Sequence, residues 1–357
     1  MTADNIQLIH QPTRDNHVHP FPKPNLGAFE TPLRIQMTLR YLKNQGVSEN
    51  LEKSSAPKAK LEDALLVHSS YLVHTVEIMT ELGGGELGEF AYASPDLLRS
   101  VLHALGGTIQ AAKLVVTEKA KHAFALVRPP GHHATSSSPM GLCYFNNVAV
   151  AVRSLMRNHG VERVSILDID SHHGNGTAEI FYSDPNVQYI SVHEYDYESF
   201  GIGHFDEIGH GDGIGTNVNI PFVESSPDVS YRMAIDQVVS AAVESFKPDI
   251  VAVSAGYDAH YADPVGNMDV DSRTFWMLGS TVNRLVQTLG IKGSFWVLEG
   301  GYNPLALGPC VHGSLEGLLG RRQPTLDDQT ERKEHKLLVN ANKQVIEQVL
   351  ETHSPFL

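Results

Sequence analysis

A chain of 357 residues with 41% hydrophobic content is long enough to bury a large core, as one big α/β domain or as two domains. Its formal charge of −14 argues against nucleic-acid binding, which needs clustered Lys and Arg, and two cysteines, Cys143 and Cys310, cannot build a disulfide framework. Residues 1–5 lack a basic-then-apolar leader and no apolar run nears the roughly 20 residues of a membrane span, so the expected setting is soluble, reducing and cytoplasmic, without a membrane partner.

In chain order, residues 6–24 carry His10, His17, His19 and several prolines and read as an irregular surface loop. The run E-T-P-L-R at 30–34 opens a helix, with proline tolerated near its start and Leu33, Met37 and Tyr41 on one face. Residues 51–62 are polar and Lys-rich, an exposed excursion. His68, Tyr71 and His74 fall in a mixed segment whose plain reading is surface or partly buried histidines, and Gly83, Gly84 and Gly85 read as a loop too poor in pattern to cradle phosphate. From Ser94 the pattern turns helical, Leu97, Val101, Leu105 and Ile109 recurring at fours. Short apolar runs at 123–127, 164–167, 189–192, 250–254 and 294–298 then read as buried strands, most of them separated by helical patterns at 146–157, 228–246 and 272–289. Such alternation predicts an α/β fold with a mostly parallel sheet and helices on both faces, whose ligands bind beyond the carboxyl ends of the strands. After Pro324, Thr325 is placed to cap a helix with Asp327 and Asp328 in its first turn and Leu337, Ala341, Val345 and Val349 at fours; it suits docking on its own domain or, alternatively, a homo-oligomer contact.

Four of the strand exits carry chemistry: R-P-P-G-H-H at 128–133, D-I-D-S-H-H-G-N-G-T at 168–177, A-G-Y-D-A-H at 255–260 and E-G-G-Y-N at 299–303. An extended chain alternates faces, so Asp168, Asp170 and His172 point the same way, and close carboxylates repel unless a cation or proton sits between them. A lone D-x-D would be a strand end with a helix-capping cluster; with His172 and His173 added, a divalent metal is the better account. Asp170, His172 and Asp258 offer two oxygens and a nitrogen, a set that leaves positions open for water and substrate and suits zinc or ferrous iron. His132 and His133 have no metal-like spacing and are assigned to proton transfer, the alternative being a merely buried pair. Tyr302, on a glycine hinge, is suited to donate its hydroxyl to a developing oxyanion, although a lone Gly-Gly-Tyr is ordinarily a turn.

These four blocks, in this order and spacing, resemble the histone deacetylase superfamily, which includes class II histone deacetylases, bacterial deacetylase-like amidohydrolases and acetylpolyamine amidohydrolases. The resemblance runs over about 15–320. It implies the arginase/deacetylase fold, a single α/β domain over 1–357 with an eight-stranded, mainly parallel sheet flanked by helices, and a helical extension at about 325–353. It also implies a zinc-dependent amidohydrolase acting on acetyl-lysine or an acetylated small amine. On the resemblance, Asp170, His172 and Asp258 are metal ligands, His133 is general base and acid, His132 its electrostatic partner with Asp168, Asn175 orients the second histidine, and Tyr302 polarises the acyl carbonyl. It further implies a structural potassium ion held by Asp168, main-chain oxygens of Asp170 and His172, Ser191 and Val192. Arg34 matches the arginine of an acetate-exit channel, Gly141 the glycine whose carbonyl accepts the substrate amide hydrogen, and Gly301 belongs to the substrate-facing turn.

Four departures bear on substrate. Leu142 replaces an aromatic wall of the acyl-lysine tunnel, the opposite wall near Phe200 is altered, and Phe90 stands where many relatives carry an aspartate that grips a peptide backbone. Val265 replaces the gatekeeper glutamate of the polyamine-selective eukaryotic member. A deacylase for longer acyl chains or another small molecule is the alternative, and a non-catalytic binding relative or an arginase-type binuclear hydrolase is further off.

Overall fold

The computed structural model describes residues 6–12, 16–18, 29–195, 201–332 and 335–357. The first third of the chain holds β1 (Ile6–His10), α1 (Leu33–Asn44), β2 (Leu51–Ser55), α2 (Ser70–Glu81), the hairpin β3 (Gly85–Gly88) and β4 (Ala91–Ala93), and α3 (Leu97–Val116). There follow β5 (His122–Leu126), α4 (Asn147–His159), β6 (Val164–Asp168), α5 (Asn175–Phe181), β7 (Val187–Glu194) and β8 (Asn217–Phe222). The last third comprises α6 (Asp228–Ala234), running through a π-turn into α7 (Ser240–Phe246), then β9 (Ile250–Ala255), α8 (Ser272–Thr288), β10 (Ser294–Leu298), α9 (Pro304–Leu318) and α10 (Lys336–His353).

Eight strands form one sheet in the order β2-β1-β5-β10-β9-β6-β7-β8, and every neighbouring pair is parallel, so the expected mainly parallel sheet is parallel throughout. The central strands are buried on both faces, and their alternate residues feed two cores. Phe124, Leu126, Trp296 and Leu298 join α1, α8 and α9 on one side; Ala123, Ala125, Phe295 and Val297 join α3 and α4 on the other. Because all strands run the same way, the exits of β5, β6, β9 and β10 open on one edge. Three helices leaving that edge start on side-chain caps: Asn146 accepts the Ala149 N–H, Asp271 that of Arg273 and Asn303 that of Leu305, which fixes where each of those loops must end.

Several expectations for the flanks are corrected. Residues 6–10 are not a surface loop but β1, paired to β2 on one side and β5 on the other, and 51–55 are not an excursion but the edge strand. In α1 the buried residues are Arg34, Ile35, Thr38 and Leu42, while Leu33 is 53% exposed, so the inward face is displaced from Leu33, Met37 and Tyr41. Gly85 opens the β3–β4 hairpin, and β8 has no counterpart in the sequence reading. Thr325 caps no helix: α10 begins at Lys336, and Asn342, Ile346, Val349 and His353 form its buried face, with Leu337 on the outside.

Candidate active site

Beyond β6 the chain turns so that Asp170 and His172 meet Asp258 from the exit of β9. His172 Nδ1 lies 3.0 Å from Asp170 Oδ1 and 3.1 Å from Asp258 Oδ2. The other oxygen of each carboxylate is held by backbone: Asp170 Oδ2 accepts the Gly300 N–H at 2.7 Å and Asp258 Oδ1 that of Ser171 at 2.8 Å. Each acid therefore keeps one oxygen aimed at a common point. A Cβ on Gly300 would lie 2.2 Å from Asp258 Oδ2 and 2.6 Å from Asp170 Oδ2, which explains why a glycine stands there. Burial and the neighbouring Asp170 push the Asp258 carboxyl up to about 7, the mark of two acids competing for one positive partner. This donor set fits a divalent cation. In a second trio, His260, Cys310 and Asp328, the Asp328 carboxylate accepts the Ser272 N–H and Oγ–H, both at 2.8 Å, and pairs with His260 Nε2.

The tandem histidines sit beside the trio, their rings 4.1 Å apart. His132 Nδ1 is 3.1 Å from Asp168 Oδ2, which also accepts the Tyr189 hydroxyl at 3.0 Å. His132 Nε2 is 3.7 Å from Asp170 Oδ1. Burial alone would depress His132, but Asp170 and Asp168 outweigh it and lift the imidazole to about 10. His133 is the opposite case. Burial and then the charges of His132 and His172 push it down to about 3, leaving a neutral ring whose Nδ1 meets Asn175 Oδ1 at 2.7 Å. With Nδ1–H donating to the amide oxygen, Nε2 carries the free lone pair. Glu299, fully buried at the exit of β10, accepts the Gly131 N–H at 2.6 Å and that of His132 at 3.1 Å, and its other oxygen accepts the Ser254 hydroxyl at 3.2 Å.

Tyr302 is 7% exposed, with the Arg34 guanidinium 4.7 Å from its ring centre. Burial, reinforced by Asp170 and Asp258, raises its phenol well above the usual range, so it is an O–H donor at neutral pH. Arg34 donates Nε–H to the Gly301 carbonyl at 2.7 Å and pairs with Glu30, which Arg128 also grips.

The family model for the histone deacetylase domain matches residues 28–318, a span holding all four strand-exit blocks. The chain belongs to the histone deacetylase family. It is 38% identical over 290 residues to histone deacetylase 10, chloroplastic, of Oryza sativa, covering 78% of this chain and 65% of that protein. It is 38% identical over 314 residues to a probable deacetylase of Methanothermobacter thermautotrophicus, covering 88% and 90% of the two chains. With the histone deacetylase-like amidohydrolase of Pseudomonas aeruginosa it shares 33% over 306 residues, 86% and 80% of the two. A crystal structure of the HDA15 HD domain superposes with a TM-score of 0.86 at 30% identity, covering 98% of this chain and 95% of that one. The eight-stranded sheet and this likeness make the fold the arginase/deacetylase fold.

Within this histone deacetylase family chain, the remaining expected residues are placed as follows. Gly141 has φ 55°, and a Cβ there would meet the His133 ring at 2.5 Å. Leu142 is buried with φ 65°, its N–H bonded to the Phe90 carbonyl at 3.1 Å, so the β3–β4 hairpin walls this side of the site. Ser191 and Val192 are buried in β7, Ser191 in register with Asp168. Phe200 lies outside the described residues. No helix among the described residues is long and apolar enough to cross a membrane, and both cysteines are unpaired and buried. Sequence reasoning gave no role to Glu299, although it stood inside a quoted block, nor to Asp263, Glu30, Arg128 or His68. A single carboxylate that serves backbone N–H groups leaves no spacing pattern to find.

Proposed function

We propose that this chain is a metal-dependent deacetylase that hydrolyses the amide of an N-acetylated amine, acetyl-lysine or a small acetylated amine such as a polyamine. The observation that carries the reading is the convergence of one oxygen each from Asp170 and Asp258 on the His172 ring, that of Asp170 steadied by the His172 N–H, directly beside a histidine pair held in opposite charge states. Asp170, His172 and Asp258 would hold the cation, zinc or ferrous iron, both of which accept this oxygen and nitrogen donor set. When bound, such an ion polarises an acyl carbonyl and acidifies water next to it.

His133, neutral and oriented through Asn175, takes the proton of the attacking water and later returns it to the leaving amine. His132, held charged between Asp168 and Asp170, favours the oxyanion electrostatically, and the Tyr302 O–H donates to it. Gly141 offers a carbonyl to the substrate N–H, Gly301 shapes the Tyr302 turn, and Arg34 is read as the arginine beside an exit channel for acetate. A potassium ion behind the site, taking Asp168, main-chain oxygens of Asp170 and His172, Ser191 and Val192, is supported by the Asp168–Ser191 register and the burial of both. Residues 1–357 are read as one domain, supported by Ile346 and Val349 of α10 sharing an apolar core with Val218, Ile220 and Phe222 of β8; the cytoplasmic setting stays a proposal.

A second reading, preference for longer acyl chains, is favoured by Leu142, a buried aliphatic side chain where the resemblance expects an aromatic one. The deciding experiment is steady-state hydrolysis by zinc-loaded protein of an acetyl-lysine peptide, N-acetylputrescine and a trifluoroacetyl-lysine reporter, each also with Tyr302→Phe. Turnover of the peptide or the polyamine, lost in the variant, supports deacetylation. Turnover of the activated reporter alone keeps the chemistry and moves the natural substrate elsewhere. No turnover with metal bound ends the reading.

A further inference from the structure

The turn that carries Tyr302 has little to hold it in itself: Gly300 and Gly301 precede it, and Gly301 is at φ 104°, a conformation that resists only weakly being changed. Asp170 and Arg34 hold its glycines, and what fixes the Tyr302 amide itself comes from another loop. Asp263, five residues beyond Asp258, accepts the Tyr302 N–H on Oδ2 at 2.6 Å and the Asn303 N–H on the same oxygen at 3.1 Å. Its Oδ1 accepts the N–H of Val265 at 3.0 Å and, at 3.5 Å, that of Gly266. Asn303 completes the tie, donating Nδ2–H to the Ala262 carbonyl at 2.8 Å while its own side-chain oxygen caps α9. One carboxylate thus gathers backbone donors from the exits of β9 and β10, the two loops that carry Asp258 and Tyr302. Charge-assisted bonds of this kind are about twice as strong as neutral ones.

We propose that Asp263 is the positioning residue that keeps Tyr302 turned into the site. It touches neither substrate nor metal position; it acts through the Tyr302 and Asn303 amides. The Arg34 guanidinium lies over the ring 4.7 Å from its centre, so Tyr302 is held by a backbone anchor and by a stacked cation. The tie reaches α9 through its cap Asn303, and in the first turn of that helix Leu305 is 73% exposed while Ala306 and Leu307 are buried. Releasing the amides loosens the turn, while the buried Ala306 and Leu307 keep the helix behind it seated. The inference rests on the reading of Tyr302 as the oxyanion donor.

The test is a double-mutant cycle in the zinc-loaded full chain on the trifluoroacetyl-lysine reporter, with Asp263→Asn, Tyr302→Phe and the pair, together with backbone amide exchange at 302 and 303. An asparagine offers an acceptor to one pair of amides and meets the other donor to donor. The expected result is a fall of about tenfold or more in kcat for Asp263→Asn with KM within about threefold, and a double variant no slower than Tyr302→Phe within about twofold. Amide exchange at 302 and 303 should quicken by about tenfold or more while the central strands stay protected. Full activity in Tyr302→Phe would remove the reading of Tyr302 itself. A loss in Tyr302→Phe with none in Asp263→Asn, multiplicative losses in the pair, or unchanged exchange at 302 and 303 would each overturn the role of Asp263 and leave the reading of Tyr302 standing. Should Asp263→Asn not fold, Asp263→Glu, which keeps the charge and displaces it by a methylene, enters the same cycle with the same expectations.

Discussion

Glu299 and His132 are joined through the backbone, not through their charges alone: Glu299 Oε2 accepts the His132 N–H at 3.1 Å while also taking that of Gly131 at 2.6 Å. The exit of β10 thereby sets the height of the exit of β5. Glu299→Met removes the acceptor and leaves two buried N–H groups and the Ser254 hydroxyl unpaired, at about 1–3 kcal/mol for each unsatisfied group. We expect a loss of stability of about 3 kcal/mol or more in urea denaturation and, in whatever folds, a large fall in kcat. Glu299→Gln retains an acceptor and should lose less on both counts. Equal losses in the two variants would show that charge, not acceptance, is what the site uses.

Asn175 reaches His133 Nδ1 at 2.7 Å, and its amide oxygen accepts only if that nitrogen carries the proton. Removing it with Asn175→Ala should free the ring to take the other tautomer, lowering kcat by about tenfold or more with KM nearly unchanged. Asn175→Asp keeps the acceptor and adds charge beside a ring now pushed down to about 3, so it should raise the His133 pKa and move the acid limb of the kcat profile to higher pH. An unaltered acid limb would mean that His133 is not the proton carrier.

The acid pair Asp170 and Asp258 predicts what metal removal does. Without a cation the two buried carboxylates share one imidazole, and chelation should abolish hydrolysis and lower the melting temperature, with both restored by zinc or ferrous iron. Asp258→Ala should bring bound metal, measured by elemental analysis, to well below one per chain. Full metal content in that variant would place the ion elsewhere, with the His260, Cys310 and Asp328 trio the next candidate.

What the sequence revealed and what it hid divide along physical lines. The exits of β5, β6, β9 and β10 were legible because each joins a doubly buried apolar strand to a glycine-bearing polar block, and a parallel sheet brings such blocks to one edge. β1 and β2 were not: I-Q-L-I-H is five residues with two polar ones, and L-E-K-S-S is an edge strand with four of its five side chains exposed. In α1 the apolar repeat pointed the wrong way because the site needs Arg34 buried, and a buried guanidinium paired to Glu30 does not look like a core position in composition. Glu299 and Asp263 escaped for a different reason. The partners through which they shape the site, Gly131 and His132 for Glu299 and Tyr302 and Asn303 for Asp263, are main-chain amides far along the chain, which no side-chain pattern encodes.

His68 gives a pH prediction away from the acid cluster. It is buried, its Nδ1 lies 2.9 Å from the Thr135 carbonyl and its Nε2 accepts the Asn146 N–H at 2.8 Å, so it ties the loop after His133 to the start of α4. Both contacts demand the neutral ring with the proton on Nδ1, and a second proton on Nε2 would face an N–H. Burial, only partly offset by the Thr135 carbonyl, pushes its pKa down to about 4, against about 6.5 in an unfolded chain. A depressed folded value means that the unfolded state binds the proton first. The contribution is therefore complete above about pH 6.5, falls as pH drops from there to about 4 at up to about 1.4 kcal/mol per unit, and changes no further below. His68→Asn should be less stable than the parent at pH 7.5, with the gap closing by about 2–3 kcal/mol as pH approaches 4.5 in paired urea titrations. A gap that stays constant across that range would show that His68 does not titrate as the contacts require.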